Sequence, residues 1–219
     1  MTDKWDGIIK SKLLRDEEVA VRHQLADAAK GYNWKKTLEI LNERPDLSNV
    51  TRPDGRALYT PLHQAAHGNA PVEVVQKMIT IGAWRTLQNA EGERAVDIAR
   101  KKKHQQLIEL LEPVYITQFP HETLQKIQSH FHEIILGRVG GLVRDSGLRL
   151  PELKPLLEIA QPRMWFPVPG MYGGFCYWLD GKGKDVKLVS ESWCRVVGGS
   201  GQRHEITSKE GKLVDEGFV

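Results

Sequence analysis

A seven-residue segment recurs three times in the first half of this chain: "LADAAKG" at residues 25–31, "LHQAAHG" at 62–68 and "VDIARKK" at 96–102. Ala28, Ala65 and Ala99 hold the same place in the three copies, at intervals of 37 and 34 residues. Each copy is followed by apolar residues at helical spacing: Leu38, Ile40 and Leu41; Val72, Val74, Val75, Met78 and Ile79; and Leu107, Ile108, Leu110 and Leu111. A helix pair repeated at such an interval cannot bury its apolar face alone, so the copies must stack on one another. The longer first interval is absorbed between Gly55 and Thr60, where "RALY" widens a turn.

The best copy opens with "TPLHQAA" at 60–66 and continues with "VEVVQKMITIGAWRTLQNAEGERAVDIA" at 72–99. It resembles the ankyrin repeat. Pro61 suits a first helical turn, Ala65 and Ala66 let two helices approach, and Gly82 ends the second helix. Leu62, Val74, Val75 and Ile79 are expected to fill the layer between units. The resemblance covers about residues 22–112. The first copy lacks "TPLH" and the third replaces it with "RAVDIA", as end caps would. Residues 1–21 are expected to add a capping helix that buries Trp5, Ile8, Ile9, Leu13 and Leu14.

The resemblance implies a stack that holds another protein on its concave surface and loop tips, an adaptor rather than an enzyme. The tips offered are Arg52, Asp54, Arg56 and Tyr59 in one turn, and Trp84, Arg85, Thr86, Gln88 and Glu91 in the next. Trp84 stands where the family carries a small polar residue, so either a partner or the protein itself must cover it. His63 and His67, four apart on one helix, would suit a metal, but the resemblance gives His63 a role in fixing its own turn. No metal and no cofactor are expected.

Beyond the repeats the composition shifts: 14 of the 20 glycines lie from Gly137 onward. Leu124, Ile127, Phe131, Ile134 and Ile135 form one face of a helix ending near "GRVGG", and His130 and His132 on it point different ways. "LPELKPLLEIA" reads as a short helix opened by Pro151 and closed by Pro162. Four strands follow, "GFCYWLD", "DVKLVSESWCRVV", "RHEIT" and "KLVDEGFV", separated by turn-forming "GKGK", "GGSGQ" and "SKEG". The aromatic segment "MWFPVPGMYGGF" before them reads as an irregular loop. The expected fold is α+β. Residues 1–120 form an ankyrin-type solenoid with its cap, 121–162 a helical bridge, and 163–219 a small antiparallel β-meander.

The glycines of "VVGGSGQRHEIT" at 196–207 lack the following helix that a phosphate cradle needs, so they read as a hairpin turn. The polar candidates on the tail are Cys194, Ser200, Arg203 and His204. A nucleophilic reading would activate Cys194 or Ser200 with His204 and orient it with Glu191 or Glu205. That gives the alternative to an adaptor: a small-molecule-binding or hydrolytic β module delivered by the repeats.

The formal charge of +3, from 31 basic and 28 acidic residues, is too balanced for a dedicated nucleic-acid binder. Two cysteines, no signal-like leader and no apolar run of the ~20 residues that cross a bilayer favour a cytoplasmic protein that does not enter membranes. Bacterial members of the family of this size include scaffolds, effectors and toxin-neutralising proteins. The partner is expected to be another protein.

Overall fold

The computed structural model of the chain describes residues 3–195 and 199–217. The fold is α+β and divides into two compact units, residues 9–114 and residues 1–8 with 115–219. No helix among the described residues is long and apolar enough to cross a membrane.

Residues 9–114 form three helix pairs: α1 (Asp16–Lys30) with α2 (Trp34–Glu43), α3 (Pro61–His67) with α4 (Val72–Ile81), and α5 (Ala95–Lys101) with α6 (Gln105–Leu111). Short connections force the two helices of a pair to run antiparallel. The first helices contact one another in series, α1 to α3 to α5, as do the second helices, α2 to α4 to α6. Leu25, Leu41, Leu62, Val75, Met78, Val96 and Leu107 join a single buried cluster through the stack.

The sequence period has a direct backbone counterpart. The carbonyls of Ala28, Ala65 and Ala99 accept from the amides of Asn33, Ala70 and His104, closing the same turn in each pair. Tyr32, Asn69 and Lys103, at φ of 58°, 51° and 61°, occupy the equivalent left-handed position each time. Thr60 and His63 form a capping box at the start of α3. In α5 Asp97 supplies one half of that box, its Oδ2 accepting from the Arg94 amide at 3.0 Å, while the Asp97 amide donates to Arg94 O. His63 has both ring nitrogens engaged, Nδ1 with Thr60 and Nε2 with the Glu93 carbonyl of the next unit at 3.2 Å.

The first copy departs from the others. Helix α1 has 15 residues where α3 and α5 have seven. The helical cap expected over residues 1–21 is absent: Asp3–Lys4 is a strand and Ser11–Leu13 a single 3₁₀ turn, and α1 begins only at Asp16.

In the other unit a six-stranded sheet runs in sequence order: β1 (Asp3–Lys4), β2 (Arg163–Val168), β3 (Gly173–Asp180), β4 (Lys187–Cys194), β5 (Ser200–Ile206) and β6 (Gly211–Gly217). All neighbours are antiparallel except β1, which pairs parallel with β2. The segment expected as an irregular aromatic loop is therefore mostly β2 and the start of β3. Its alternation explains why: Met164, Phe166 and Val168 are buried, while Trp165 and Pro167 between them are half-exposed. Residues 3–8 belong here rather than with the repeats. The Trp5 amide donates to Trp165 O at 2.9 Å, and its indole Nε1 donates to Arg149 O at 3.0 Å. Gly7 permits the approach, because a Cβ there would lie 2.5 Å from Arg149 O.

Helix α7 (His121–Ser146) runs past the glycines at which the sequence suggested it would stop. Val139 leaves helical geometry (φ −142°, ψ 25°) inside "GRVGG", and the helix resumes until Gly147, at φ 59°, ends it. Phe131 of α7 lies 5.0 Å from Tyr177 and 6.2 Å from Phe175 between ring centroids, which seats the helix on the sheet. Instead of the short helix after Pro151 there is one 3₁₀ turn, Lys154–Leu157. The glycine-rich stretch joins antiparallel β4 to β5, as a strand-to-strand turn must, although Val196, Val197 and Gly198 lie outside the described residues.

Burial also sets an acid limit. His67, His132 and His204 are all held below the ordinary histidine value of 6.5, chiefly by burial; Lys102 and His104 add to this at His67, and Arg138 at His204. At His132 the bond from Nε2 to Pro151 O, at 2.8 Å, opposes burial without overcoming it. The unfolded chain therefore takes up these protons more readily. Their contribution to stability is present above pH 6.5 and is lost as the pH falls below it. Melting temperature should drop between pH 7 and pH 5, before the carboxylates titrate. His132→Asn, which keeps a donor for Pro151 O, should make that drop shallower.

Candidate functional site

In the repeat unit the small side chains Ala26, Ala29 and Ala57 leave a groove of about 470 Å³ between α1, the loop over residues 50–60 and the start of α3. Leu25, Val50, Leu58 and Pro61 give it an apolar lining. Arg22, Lys30, Arg52 and Arg56 line it too, and no carboxylate does. A chain of rings runs along it. Tyr32 lies 5.6 Å from Trp34 and stacks at 6.3 Å on His67, while Tyr59 lies 6.3 Å from His67 and 5.6 Å from His63. Tyr32 Oη and His67 Nδ1 are 2.9 Å apart. Tyr32 nevertheless remains 45% exposed.

Leu58 in the groove and Asp54 of the same loop hold left-handed backbone at φ of 53° and 58°, which, unlike that of Tyr32, does not belong to the recurring turn. Such conformations cost on the order of 1–3 kcal/mol each and collect at ligand sites. Burial raises the Tyr59 hydroxyl above its ordinary value, with Glu93 adding to the effect.

The structure separates the two predicted tips. Arg52, Arg56 and Tyr59 of the first line the groove. Asp54 turns to the N-terminal segment: its amide donates to Ile9 O at 2.8 Å, and its Oδ2 accepts from the Ser11 amide at 3.4 Å. The second tip is used internally. Trp84 is only 9% exposed, so it is a packing residue and not the free anchor its turn position suggested. Thr86 is fully buried, Arg85 Nε donates to Leu110 O at 3.0 Å, and Gln88 Nε2 donates to Gly92 O at 3.0 Å. Glu91 alone of that set is exposed. Tyr32, Lys30 and Gln64 were missed. The signal available for Tyr32 was its place just after the recurring "AAKG", where the backbone reverses at the groove mouth.

The tail candidates are not brought together. Cross-strand pairing sets Glu191 beside Arg203, Ser190 beside His204 and Cys194 beside Ser200. Successive side chains alternate between faces. His204, Ser200 and Cys194 therefore share the face toward α7, where Arg138 Nη2 donates to Ser200 O at 2.8 Å and Oγ at 3.1 Å. Arg203, Glu191 and Glu205 lie on the opposite face. His204 stands four strand residues from Ser200, about 13 Å along β5 at ~3.3 Å per residue, so it cannot activate Ser200 or its neighbour Cys194. Neither carboxylate can orient it.

The outer face of the sheet carries an aromatic array that the sequence did not reveal. Trp165 and Trp193 stack at 4.5 Å and 17° across Gly174. The Arg163 guanidinium lies 4.2 Å from the centre of Trp178 and that of Arg203 6.0 Å from it. Glu191 pairs with both arginines at 3.5 Å. A hollow of about 300 Å³ at its end is lined by Arg203 but also by Glu191, Asp215 and Glu216, so its cation is already matched.

No family model matches the chain, and no curated protein does. Among solved structures, a chain from the complex of a predatory endopeptidase of Bdellovibrio bacteriovorus with an immunity protein aligns at 19% identity and a TM-score of 0.36. The alignment covers 55% of this chain and 66%, just under two thirds, of that one. At that score the likeness carries no statement about fold or function.

Proposed function

We propose that residues 9–114 are an ankyrin-type protein-binding module and that a segment of a partner protein lies in the groove beside residues 50–60. The observation that carries this reading is that Arg52, Arg56 and Tyr59 of one loop converge with Tyr32 and His67 on a single concave, apolar-floored surface. Three helix pairs with the same turn bond and the same left-handed residue support the ankyrin assignment. The chain then acts as an adaptor, and the partner decides whether it serves as scaffold, effector or toxin-neutralising protein. A hydrolytic role for the sheet unit loses its support with the separation of Cys194 from His204. Cys176 and Cys194 lie on opposite sheet faces and cannot bond to each other.

The test uses the immobilised full chain together with Tyr59→Ala and Trp178→Ala, with captured proteins identified by mass spectrometry. Truncating a central tyrosine costs about 2 kcal/mol or more, roughly thirty-fold in affinity. A partner held by the parent and by Trp178→Ala should be lost from Tyr59→Ala. The reverse pattern would move the binding surface to the sheet.

A further inference from the structure

We infer that the groove recognises an acidic segment, an apolar side chain flanked by carboxylates, on a partner protein; the inference rests on the groove being the binding site. Four cationic side chains and no carboxylate line it. Two of the four are already matched from outside the lining: Arg22 Nε donates to Glu18 at 2.9 Å, and Arg52 pairs with Asp27. The other two are available. Lys30 and Arg56 are exposed and form no ion pair among the described residues, Lys30 acting on Asp27 only through space.

The Arg52–Asp27 pair can also be exchanged. Both side chains are well exposed, at 41% and 63%, and water screens an exposed pair of this kind so that it adds little to stability. An incoming carboxylate can take the place of Asp27 without leaving a buried charge behind. His67 adds no charge of its own near neutrality, since burial, with Lys102 and His104, depresses its protonation. Between the cations the floor is aliphatic, so the complementary ligand carries an apolar side chain between its negative charges. A nucleic acid fits less well, because it needs a longer run of cations to follow successive phosphates.

A randomised dodecapeptide display library selected on the immobilised full chain tests this. The expected result is enrichment of Asp and Glu around an apolar residue. A fluorescein-labelled consensus peptide should bind less tightly as salt is raised. It should lose roughly tenfold or more in affinity for each of Lys30→Glu and Arg56→Glu, exposed positions at which the fold should survive. Enriched peptides without acidic residues that still fail to bind Tyr59→Ala would overturn the acidic preference and leave the groove as the site. Peptides that bind the parent, Tyr59→Ala and both charge reversals equally would overturn both, as would a selection with no enrichment. Tighter binding of a labelled twelve-thymidine oligonucleotide, lost on charge reversal, would overturn the acidic segment in favour of nucleic acid.

Discussion

Trp5→Ala should destabilise the sheet-bearing unit by about 3–5 kcal/mol, the usual cost of truncating a buried tryptophan, and leave the helix pairs nearly untouched. Trp5 is 2% exposed, with its indole bonded to Arg149 O and the Arg149 guanidinium 5.4 Å from its ring. Its backbone extends the parallel β1–β2 pairing. Hydrogen exchange read by mass spectrometry separates the two units: amides over residues 121–146 and in the sheet should lose protection, whereas those over 16–111 should keep it. Equal loss in both regions would place Trp5 with the repeats after all. A fragment beginning at residue 9 should show the same selective loss.

Phe131→Ala should cost a similar amount, about 3–5 kcal/mol, by a different route. The ring is fully buried between α7 and the sheet, against Tyr177 and Phe175. Its removal leaves a cavity against Tyr177 and Phe175, whose cross-strand neighbours Ser190 and Ser192 carry buried hydroxyls with no partner among the described residues. Phe131→Leu keeps most of the apolar volume and should lose much less. Urea unfolding of the three proteins gives the comparison. Equal midpoints for Phe131→Ala and the parent would mean that other contacts hold the helix on the sheet.

The helix pairs were legible because their determinants are local. Ala28, Ala65 and Ala99 mark the turn whose carbonyl bond recurs in the structure, and His63 and Asp97 mark the caps. Residues 3–8 were misplaced because their partners lie in β2 and at Arg149, and a pairing across most of the chain leaves no periodic trace in the segment itself. The strands around Trp165 were hidden by Pro167 and by Gly173 and Gly174, residues that ordinarily signal turns. Here Gly174 is required by closeness, since a Cβ would lie 2.2 Å from Phe166 O. At the candidate site Arg52, Arg56 and Tyr59 were recognisable as tip residues. Trp84 was not readable, because a side chain on a turn is exposed or buried according to what packs over it, and no local pattern encodes that.

The parallel pairing of Asp3 with Met164 also has a consequence for how the chain is made. The first strand leaves the ribosome roughly 160 residues before its partner, an interval on the order of 8–30 s at ~5–20 residues per second. Once residue 114 has emerged the helix pairs have everything they need, whereas Trp5 still has nowhere to go. Until β2 follows, the nascent chain carries an exposed tryptophan, and a chaperone that covers short apolar segments would meet the protein there.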